Sequence, residues 1–422
     1  MTRGNELPWP TRRTCFRRDC ERALPAIMGQ HMKIVLISNY RPERAYSMLA
    51  YARMLAHGLR ARGYDIAVVH PPAIFGRIPG LGGEVAKWLG YIDKFIFAPA
   101  WLRWKSRDAD IVHVCDHANA MYLRWLGHRP HVITVHDLIS VTAARGQYPG
   151  IQIRLTGRIL QRWVVSSLLR AQNVICDSHQ TESELRSVAP RIKAAIAVIH
   201  LSLRRDIAPA SPPEIERVLA RLGLTPGTEY LLHVGGNNWY KNRRGAMEIF
   251  AALRKSPQFS STRLILAGKP LLPELRRFLQ SVQLEDWVTE AKDVTDEDLI
   301  ALYSGAAALL FPSIVEGFGW PILEAQACGC PVITTNRAPM TEVAGDAAIF
   351  IDPARPELAA QMIRDQWSRR LAFREAGFRN LERFRPGDVM DAYCRTYEQV
   401  AFRKSSRLAT GEPRPSLPEK RA

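Results

Sequence analysis

Short apolar segments alternate with helical patterns along nearly the whole of this chain. The first segment, residues 32–38, reads Met-Lys-Ile-Val-Leu-Ile-Ser, and apolar residues then recur at helical spacing over residues 47–62 until Gly63. A second apolar segment, residues 65–69, follows at once. Short continuous apolar runs are typical of strands covered on both faces, and a strand, a helix and a strand in this order form a right-handed parallel crossover. The sequence therefore predicts an α/β fold built from doubly wound parallel sheets.

The apolar segments form two series, which predicts two domains. The first series continues through residues 111–115, 132–136, 174–177 and 196–200, and the second comprises residues 230–235, 263–268, 307–311 and 331–335. A length of 422 residues also suits two packed domains. The predicted segments are a disordered extension (1–31), an N-terminal Rossmann-like domain (32–205), an irregular linker (206–229), a C-terminal Rossmann-like domain (230–385), a helix that can pack back on the N-terminal domain (386–403) and a disordered tail (404–422). Two such domains face each other across a central cleft at the carboxyl ends of their strands, where ligands bind.

The chain is strongly basic, with 58 Lys and Arg against 41 Asp and Glu and a net charge of +17. This charge favours an anionic partner such as nucleic acid, phospholipid head groups or a nucleotide, and an arginine-rich composition without a binding role is the alternative. The sequence has no motif of an RNA- or DNA-binding module. We therefore expect no nucleic-acid partner.

Neither a membrane-spanning helix nor a disulfide framework is predicted. The sequence has no run of about 18 uncharged apolar residues, and in the nearest candidate, residues 151–169, three arginines recur every four residues, as in an amphipathic helix. The seven cysteines are scattered and lack a CxxC pair, which suits a reducing compartment. Cys328 and Cys330 are expected to be buried core residues. These features favour a cytoplasmic protein.

Residues 311–325 are the segment most informative about function and read Phe-Pro-Ser-Ile-Val-Glu-Gly-Phe-Gly-Trp-Pro-Ile-Leu-Glu-Ala. A strand is predicted to end at Phe311, and Pro321 suits the first position of the helix that follows. Free backbone N–H groups at such a helix N-terminus attract a diphosphate. Glu316 in the loop and Glu324 on the first helical turn could therefore both reach one ligand.

This segment resembles the retaining family-four glycosyltransferases, whose signature is a Glu-Gly-Phe-Gly-x-Pro-x-x-Glu-Ala frame with seven residues between its two glutamates. The resemblance extends over residues 329–334 and 342–348. It implies the GT-B fold, with an N-terminal acceptor domain and a C-terminal domain that binds a nucleoside diphosphate sugar. By this resemblance, Glu324 binds the ribose hydroxyls of the donor, whereas Glu316 and the glycine-rich backbone after it hold the sugar hydroxyls.

A second motif, residues 233–242, reads His-Val-Gly-Gly-Asn-Asn-Trp-Tyr-Lys-Asn and follows the first strand of the C-terminal domain. Lys241 matches the phosphate-binding lysine of the family, and a positioned lysine stabilises a departing diphosphate most strongly in the transition state. The family often has an arginine directly after the first glycine, where this chain has Gly236. Arg243 or Arg244 could supply the missing cation.

In the N-terminal domain, residues 132–137, Val-Ile-Thr-Val-His-Asp, resemble the His-Asp turn of the family. The resemblance implies that His136 faces the reacting sugar carbon, and a satisfied structural histidine is the alternative. Tyr46 and Ser47 stand where many relatives have paired glycines near the donor phosphates. By resemblance, the catalytic residues are Glu316, His136 and Lys241, and the donor-binding residues are Gly235, Gly236, Lys241, Val294, Glu316, Gly317, Phe318, Gly319 and Glu324.

No metal or other cofactor is predicted. Asp108 and Asp110 form an Asp-x-Asp pair, but a strand follows directly, which favours a strand-entry turn over a metal site. Lys241 and the helix dipole can meet the diphosphate charge without Mg²⁺. A dinucleotide-binding dehydrogenase is disfavoured because no Gly-x-Gly-x-x-Gly turn follows the first strand. A GT-B sugar-nucleotide epimerase and a basic nucleic-acid-binding protein are the remaining alternatives.

The family resemblance implies a retaining hexosyltransferase that uses GDP-mannose or a UDP-hexose as its donor. Its acceptor would be a glycan or a lipid-linked molecule, as in the assembly of cell-surface polysaccharide. Over residues 87–105, aromatic residues interleave with cations, a pattern that suits an anionic membrane surface. A core helix with solvated cations is the alternative. The expected location is the cytoplasm or the inner face of the cytoplasmic membrane.

Overall fold

Two parallel sheets form the centre of the protein. The computed structural model describes residues 32–43, 45–76 and 83–410. The strands of the first sheet are β1 (Lys33–Ile37), β2 (Asp65–Val69), β3 (Ile111–Val114), β4 (His131–Val135), β5 (Asn173–Cys176) and β6 (Ala195–Val198). Those of the second are β7 (Tyr230–Val234), β8 (Arg263–Ala267), β9 (Val288–Ala291), β10 (Ala308–Phe311), β11 (Val332–Thr335) and β12 (Ala348–Ile351).

Helices connect the strands and cover the sheets. In the first half they are α1 (Tyr46–Arg60), α2 (Gly83–Ile92), α3 (Ala98–Lys105), α4 (Leu123–Leu126), α5 (Ile139–Ala144), α6 (Leu155–Leu168) and α7 (His179–Val188). In the second half they are α8 (Pro212–Arg221), α9 (Arg243–Arg254), α10 (Pro273–Ser281), α11 (Asp296–Gly305), α12 (Trp320–Ala327), α13 (Met340–Ala344), α14 (Pro356–Gln366), α15 (Arg370–Asn380) and α16 (Pro386–Thr410).

The order of the strands confirms the predicted fold of two doubly wound parallel sheets. The first sheet has the order β2-β1-β3-β4-β5-β6 and the second has the order β12-β11-β10-β7-β8-β9, with parallel pairing throughout. The strand order reverses between β1 and β3 in the first sheet and between β7 and β10 in the second. In sheets of this kind, ligands bind at the carboxyl ends of the strands beside such a switch point.

The strands β9 and β12 were not predicted from the sequence, and they form the two edges of the second sheet. The residues of β9 read Val-Thr-Glu-Ala and only the last is buried, so this segment lacks the continuous apolar run of a central strand. The strand β12 is short and pairs only with β11 among the described strands. By contrast, all five residues of β4 are buried, as expected for a strand covered on both faces.

The segment expected to be an irregular linker contains the helix α8. The Pro-Pro pair at residues 212–213 does not break regular structure there, because proline is tolerated in the first turn of a helix. Ser211 and Glu214 form a capping box, in which the Ser211 N–H donates to Glu214 Oε2 at 2.7 Å. Val218 and Leu219 are buried, so this helix packs as part of the core.

The last helix, α16, returns to the first sheet. The hydroxyls of Tyr51 and Tyr393 are hydrogen-bonded at 2.9 Å, and His113 Nδ1 bonds the Tyr397 hydroxyl at 2.7 Å. This helix continues to Thr410 rather than ending near residue 403, since the sequence offers no glycine or proline between residue 388 and Gly411. The predicted disordered extension 1–31 lies outside the described residues, as do residues 411–422 of the predicted disordered tail 404–422, whereas residues 404–410 belong to α16. Within the described ranges, no helix has the length and apolar composition needed to cross a bilayer.

Candidate functional site

Two loops at the switch point of the second sheet bring Lys241 and Glu316 together. The first loop follows β7 and the second follows β10, which are neighbouring strands. Lys241 Nζ donates to both carboxylate oxygens of Glu316, at 2.7 and 2.9 Å. Both residues belong to the catalytic set that the family resemblance implies, and the structure places them in direct contact.

Asn242 positions the lysine by connecting the two loops. Its backbone has a left-handed conformation, with φ of 52°, and its side-chain oxygen caps α9 by accepting from the Gly245 N–H at 3.1 Å. Its side-chain nitrogen donates to the Pro312 carbonyl at 3.0 Å, and the Ile314 N–H donates to the Tyr240 carbonyl at 2.8 Å. The loop after β7 is therefore held against the loop after β10 on either side of Lys241.

The two arginines that could replace the cation absent at Gly236 have other partners in this structure. Arg243 is buried, and its guanidinium donates to the carbonyls of Gly235 at 2.7 Å and Lys269 at 2.6 Å. Arg244 pairs with Glu248 at 2.9 Å on the exposed side of α9. Arg243 is therefore held against the loop, whereas an exposed pair such as Arg244–Glu248 is weak, so a role for Arg244 as the missing cation stays a prediction. A side chain at Gly236 would face open space.

Glu324 is the fifth residue of α12, which begins at Trp320, so it lies at the start of the second helical turn rather than on the first. Its carboxylate is buried and is paired on one oxygen with Arg204, a contact between the two halves of the chain. The Tyr303 hydroxyl donates to the other oxygen at 3.2 Å. Donor ribose hydroxyls that bind Glu324 would therefore compete with the Arg204 guanidinium.

The glycine-rich loop touches the N-terminal domain directly. The Gly317 carbonyl accepts from the hydroxyls of Ser178 at 2.8 Å and Thr181 at 3.2 Å. A Cβ at Gly317 would clash with the backbone carbonyl of His136, so only glycine fits this approach. Gly319 has φ of 110°, a conformation that side chains disfavour, and it is the N-cap residue of α12.

Two further predicted donor residues have different surroundings. Phe318 is buried and its ring lies 6.2 Å from the ring of His200 and 5.9 Å from that of Phe384. It therefore packs in the core behind the loop. Val294 is half-buried and follows the edge strand β9, and none of the described contacts joins it to Lys241 or Glu316.

His136 follows β4 and is held by two acceptors in the first sheet. Its Nδ1 bonds Asp177 Oδ2 at 2.5 Å, and its Nε2 bonds the Cys115 carbonyl at 2.8 Å. Burial alone would lower the pKa of His136, but the Asp177 carboxylate and the Cys115 carbonyl outweigh it and raise this pKa to about 9. The ring is therefore an imidazolium at neutral pH. In this conformation it offers no free N–H to a sugar, so it supplies positive charge to the cleft wall.

A buried polar cluster around His136 was missed by the sequence analysis. Asn39 follows β1 and its side-chain nitrogen donates to Asp116, which follows β3, at 2.5 Å. His117 lies 3.2 Å from the other Asp116 oxygen, and it holds the pKa of Asp116 well below its usual range although burial alone would raise it. The signal was present, because Cys-Asp-His and Cys-Asp-Ser follow β3 and β5 as His-Asp follows β4.

Three other expectations can be compared with the structure. Tyr46, beside Ser47 at the start of α1, is largely exposed. Asp110 accepts the Lys33 N–H at 2.9 Å directly before β3, as a strand-entry turn requires. Cys328 and Cys330 are buried, which confirms their predicted place in the core.

Comparison with known proteins matches each half of the chain to one family. Residues 48–202 match the Glycosyltransferase Family 4 domain, and residues 214–376 match the Glycosyl transferases group 1 domain. The second match contains both loops of the Lys241–Glu316 pair. The chain belongs to the family-four glycosyltransferases.

The relatives of this family-four glycosyltransferase include the O-antigen chain mannosyltransferase B of Escherichia coli. The two sequences are 32% identical over 224 residues, which are 53% of this chain and 57% of that protein, so the match spans little more than half of its length. Solved structures include a sucrose-phosphate synthase from Thermosynechococcus elongatus, with a TM-score of 0.68, 19% identity and coverage of 87% of this chain and 99% of that one. Anabaena HepE in complex with UDP-glucose has a TM-score of 0.63, 17% identity and coverage of 89% and 100%. These likenesses establish the GT-B fold.

Proposed function

We propose that this protein transfers a hexose from a nucleoside diphosphate sugar to a glycan or lipid-linked acceptor in cell-surface polysaccharide assembly. The observation that carries this proposal is the Lys241–Glu316 pair at the switch point of the second sheet. A lysine there can hold a diphosphate, while a carboxylate beside it can accept hydrogen bonds from sugar hydroxyls. The relation to a mannosyltransferase and the UDP-glucose bound to HepE favour GDP-mannose or UDP-glucose as the donor.

The proposed reaction retains the configuration at the anomeric carbon. An acceptor oxygen bonds to that carbon on the face from which the diphosphate departs, and the leaving phosphate oxygen takes the acceptor proton. Lys241 stabilises the charge that grows on the diphosphate as the carbon–oxygen bond breaks. The imidazolium of His136 lies behind the Gly317 contact and adds fixed positive charge on the N-terminal side. The site needs no metal for this chemistry.

A panel of nucleotide sugars tests the proposed function. We expect slow release of nucleoside diphosphate from one GDP- or UDP-sugar without an acceptor, and faster release with a glycan acceptor. The Lys241→Ala variant should lose this activity, whereas Lys255→Ala should retain it, because Lys255 forms an exposed ion pair with Glu357 elsewhere in the same domain. Release from no nucleotide sugar, or equal release by both variants, would contradict the proposal.

The membrane is the proposed site of action, because of a surface that we call the aromatic face: Trp101, Trp104 and Lys105. Its two indole rings lie 5.4 Å apart and their residues are 37% and 50% exposed, which is unusual for residues of this size. Lys105 Nζ lies 4.7 and 4.6 Å from the two neighbouring indole rings. Aromatic rings and cations together suit the head-group layer of an anionic bilayer.

A cavity of about 570 Å³ adjoins the aromatic face, and it too favours an anionic ligand. Trp101 and Lys105 line it together with Lys33 and Arg41, and no carboxylate contributes to its wall among the described residues. Lys94, by contrast, points inward and pairs with Glu43 at 2.7 Å, so it does not belong to this surface. An anionic head group or a phosphate of a lipid-linked acceptor fits such a cavity.

Sedimentation with vesicles tests this part of the proposal. The protein should pellet with anionic vesicles at low salt and be released at high salt, because surface attraction is screened over about 10 Å at 0.1 M salt. The double variant Trp101→Ala and Trp104→Ala should stay in the supernatant. Leu371→Ala, which removes an exposed apolar side chain of the other domain, should pellet normally. Pelleting of the double variant at the wild-type level would exclude the aromatic face as the contact.

A further inference from the structure

A second charged cluster joins the two domains and is not part of the proposed reaction. His179 is the first residue of α7, His200 follows β6, and Glu342 lies in α13 of the other domain. The His200 Nε2 and Glu342 Oε1 atoms are 2.6 Å apart, and the His179 backbone N–H donates to the same oxygen at 2.9 Å. One ligand atom from each of the three side chains lies within 4.8 Å of the others.

The composition of this cluster matches a transition-metal site. Two imidazoles and one carboxylate are the protein ligands of many zinc sites, with water in the fourth position. Bonds of about 2 Å to a tetrahedral ion place ligand atoms roughly 3.3 Å apart. The observed separations, 2.6 Å between His200 Nε2 and Glu342 Oε1 and up to 4.8 Å within the cluster, lie on either side of this value, so binding requires the side chains to adjust around the ion.

The surroundings of each side chain also favour a cation. One oxygen of Glu342 accepts from the His179 N–H at 2.9 Å and lies 2.6 Å from His200 Nε2, so the carboxylate faces both histidines. The ring of His179 is 71% exposed, which leaves a path for an ion from solvent. Its Nδ1 lies 3.7 Å from Glu182 Oε2, an arrangement like the carboxylates that orient metal-bound histidines from behind.

His200 packs against two apolar rings that also contact each other. Its ring lies 6.2 Å from that of Phe318, in the glycine-rich loop, and 5.6 Å from that of Phe384. The cluster is thus next to the donor loop but uses none of the residues assigned to donor binding as a ligand. A cation held there would connect residues of both domains without entering the diphosphate site.

We propose that His179, His200 and Glu342 bind one zinc-type divalent cation that ties the two domains together beside the cleft. The ion exchanges the direct His200–Glu342 hydrogen bond for two bonds to the metal. It stabilises the arrangement in which the glycine-rich loop contacts the N-terminal domain. Because imidazole ligands favour zinc over magnesium, Mg²⁺ does not replace it.

Titration of the purified full chain, first treated with a chelator, tests this site. Zn²⁺ is added in competition with a chromophoric zinc chelator, and melting temperatures are recorded with and without Zn²⁺ or Mg²⁺. The wild-type protein should bind one equivalent of Zn²⁺ and melt at a higher temperature, since a ligand of the native state stabilises it. His179→Ala and Glu342→Gln should each bind at least about tenfold more weakly.

His128→Ala is the matched control, because it removes an exposed histidine outside the cluster and should bind as the wild type does. His179→Ala is the decisive variant: its side chain is exposed, its backbone N–H to Glu342 remains, and it is expected to fold normally. No saturable Zn²⁺ binding by the wild type, or wild-type affinity in His179→Ala, would overturn the proposal. The result does not depend on turnover, so it stands apart from a test of the transferase activity.

Discussion

The two walls of the cleft hold their charges in different ways. On the N-terminal wall, the side chains of His136 and Asp177 are 5% and 1% exposed, and both ring nitrogens of His136 bond acceptors fixed to the first sheet. On the C-terminal wall, the Lys241 side chain is 19% exposed and its Nζ donates to Glu316, another residue of the candidate site. The charges of the first wall are paired inside the N-terminal domain, whereas the second wall has an internal ion pair that the proposed diphosphate sugar would replace.

The two walls touch where Gly317 meets the His136 carbonyl, and a substitution there should lower the transfer rate most. In Gly317→Ala, the new methyl group would clash with the His136 carbonyl, so the glycine-rich loop would have to move away from the N-terminal wall. A displacement of about 1 Å at a site of this kind can cost about 100-fold in rate, or about 2.7 kcal/mol. Steady-state transfer rates measure the loss. Gly387→Ala, where the methyl group meets open space, should be fully active, and equal rates for the two variants would show that the contact is not needed.

Substitutions in the Lys241–Glu316 ion pair should have the next largest effect on turnover. Glu316→Gln and Lys241→Ala are each expected to lower turnover by more than about tenfold, or about 1.4 kcal/mol, since each removes a side chain of the proposed donor site. The exposed pair of Lys255 and Glu357 provides matched controls, and Lys255→Ala and Glu357→Gln should be neutral. Turnover near the wild-type value in either site variant would place the donor elsewhere.

The network of His136 and Asp177 should affect the pH dependence of the free energy of unfolding rather than the turnover. The pKa of His136 in the folded protein is about 9, above the value of about 6.5 for an unfolded histidine. This group therefore contributes stability that is complete below about pH 6.5 and is lost as the pH rises through about 9. The contribution is on the order of 3 kcal/mol.

Urea unfolding of wild type and Asp177→Asn across this range measures the effect. The free energy of unfolding of the wild type should fall between about pH 6.5 and 9, while that of Asp177→Asn should be lower at pH 6.5 and change less. Parallel curves for the two proteins would mean that the His136–Asp177 pair does not hold the extra proton.

The smallest expected effect is that of chelation on turnover. Transfer should continue in EDTA, because Lys241 and the backbone dipoles at the start of α12 meet the diphosphate charge. If the cluster around His200 binds zinc, EDTA should lower the melting temperature of the zinc-loaded protein and leave its turnover unchanged. Complete loss of activity on chelation, with recovery in Mg²⁺ or Mn²⁺, would mean that the C-terminal wall works with a metal after all.

The loops of the C-terminal wall were accessible from the sequence because each one follows an apolar strand directly. The motif residues Lys241 and Glu316 could be placed at strand ends, and neighbouring strand ends meet at one edge of a sheet. The direction in which the Arg243 guanidinium points could not be inferred in this way. Whether a guanidinium faces a ligand or the loop carbonyls depends on backbone geometry that residue identity does not determine.

Contacts between the domains were beyond sequence reasoning for a different reason. The bonds between Ser178 and Gly317 and between His200 and Glu342 join residues more than 100 positions apart, on elements whose relative placement depends on the packing of both sheets. The proline pair before α8 misled the prediction because the same residue type starts some helices and stops others. Composition alone does not distinguish these cases.

The return of α16 to the first sheet has a consequence for synthesis of the protein. During translation, N-terminal domains usually fold first, while the rest of the chain is still being made. Here, Tyr393 and Tyr397, which cover the face of the first sheet around Tyr51 and His113, come after the whole of the second sheet along the chain. That face of the nascent first domain therefore stays uncovered until α16 has been synthesised. We expect the domain to bind chaperones during this interval, and chains truncated before α16 to aggregate.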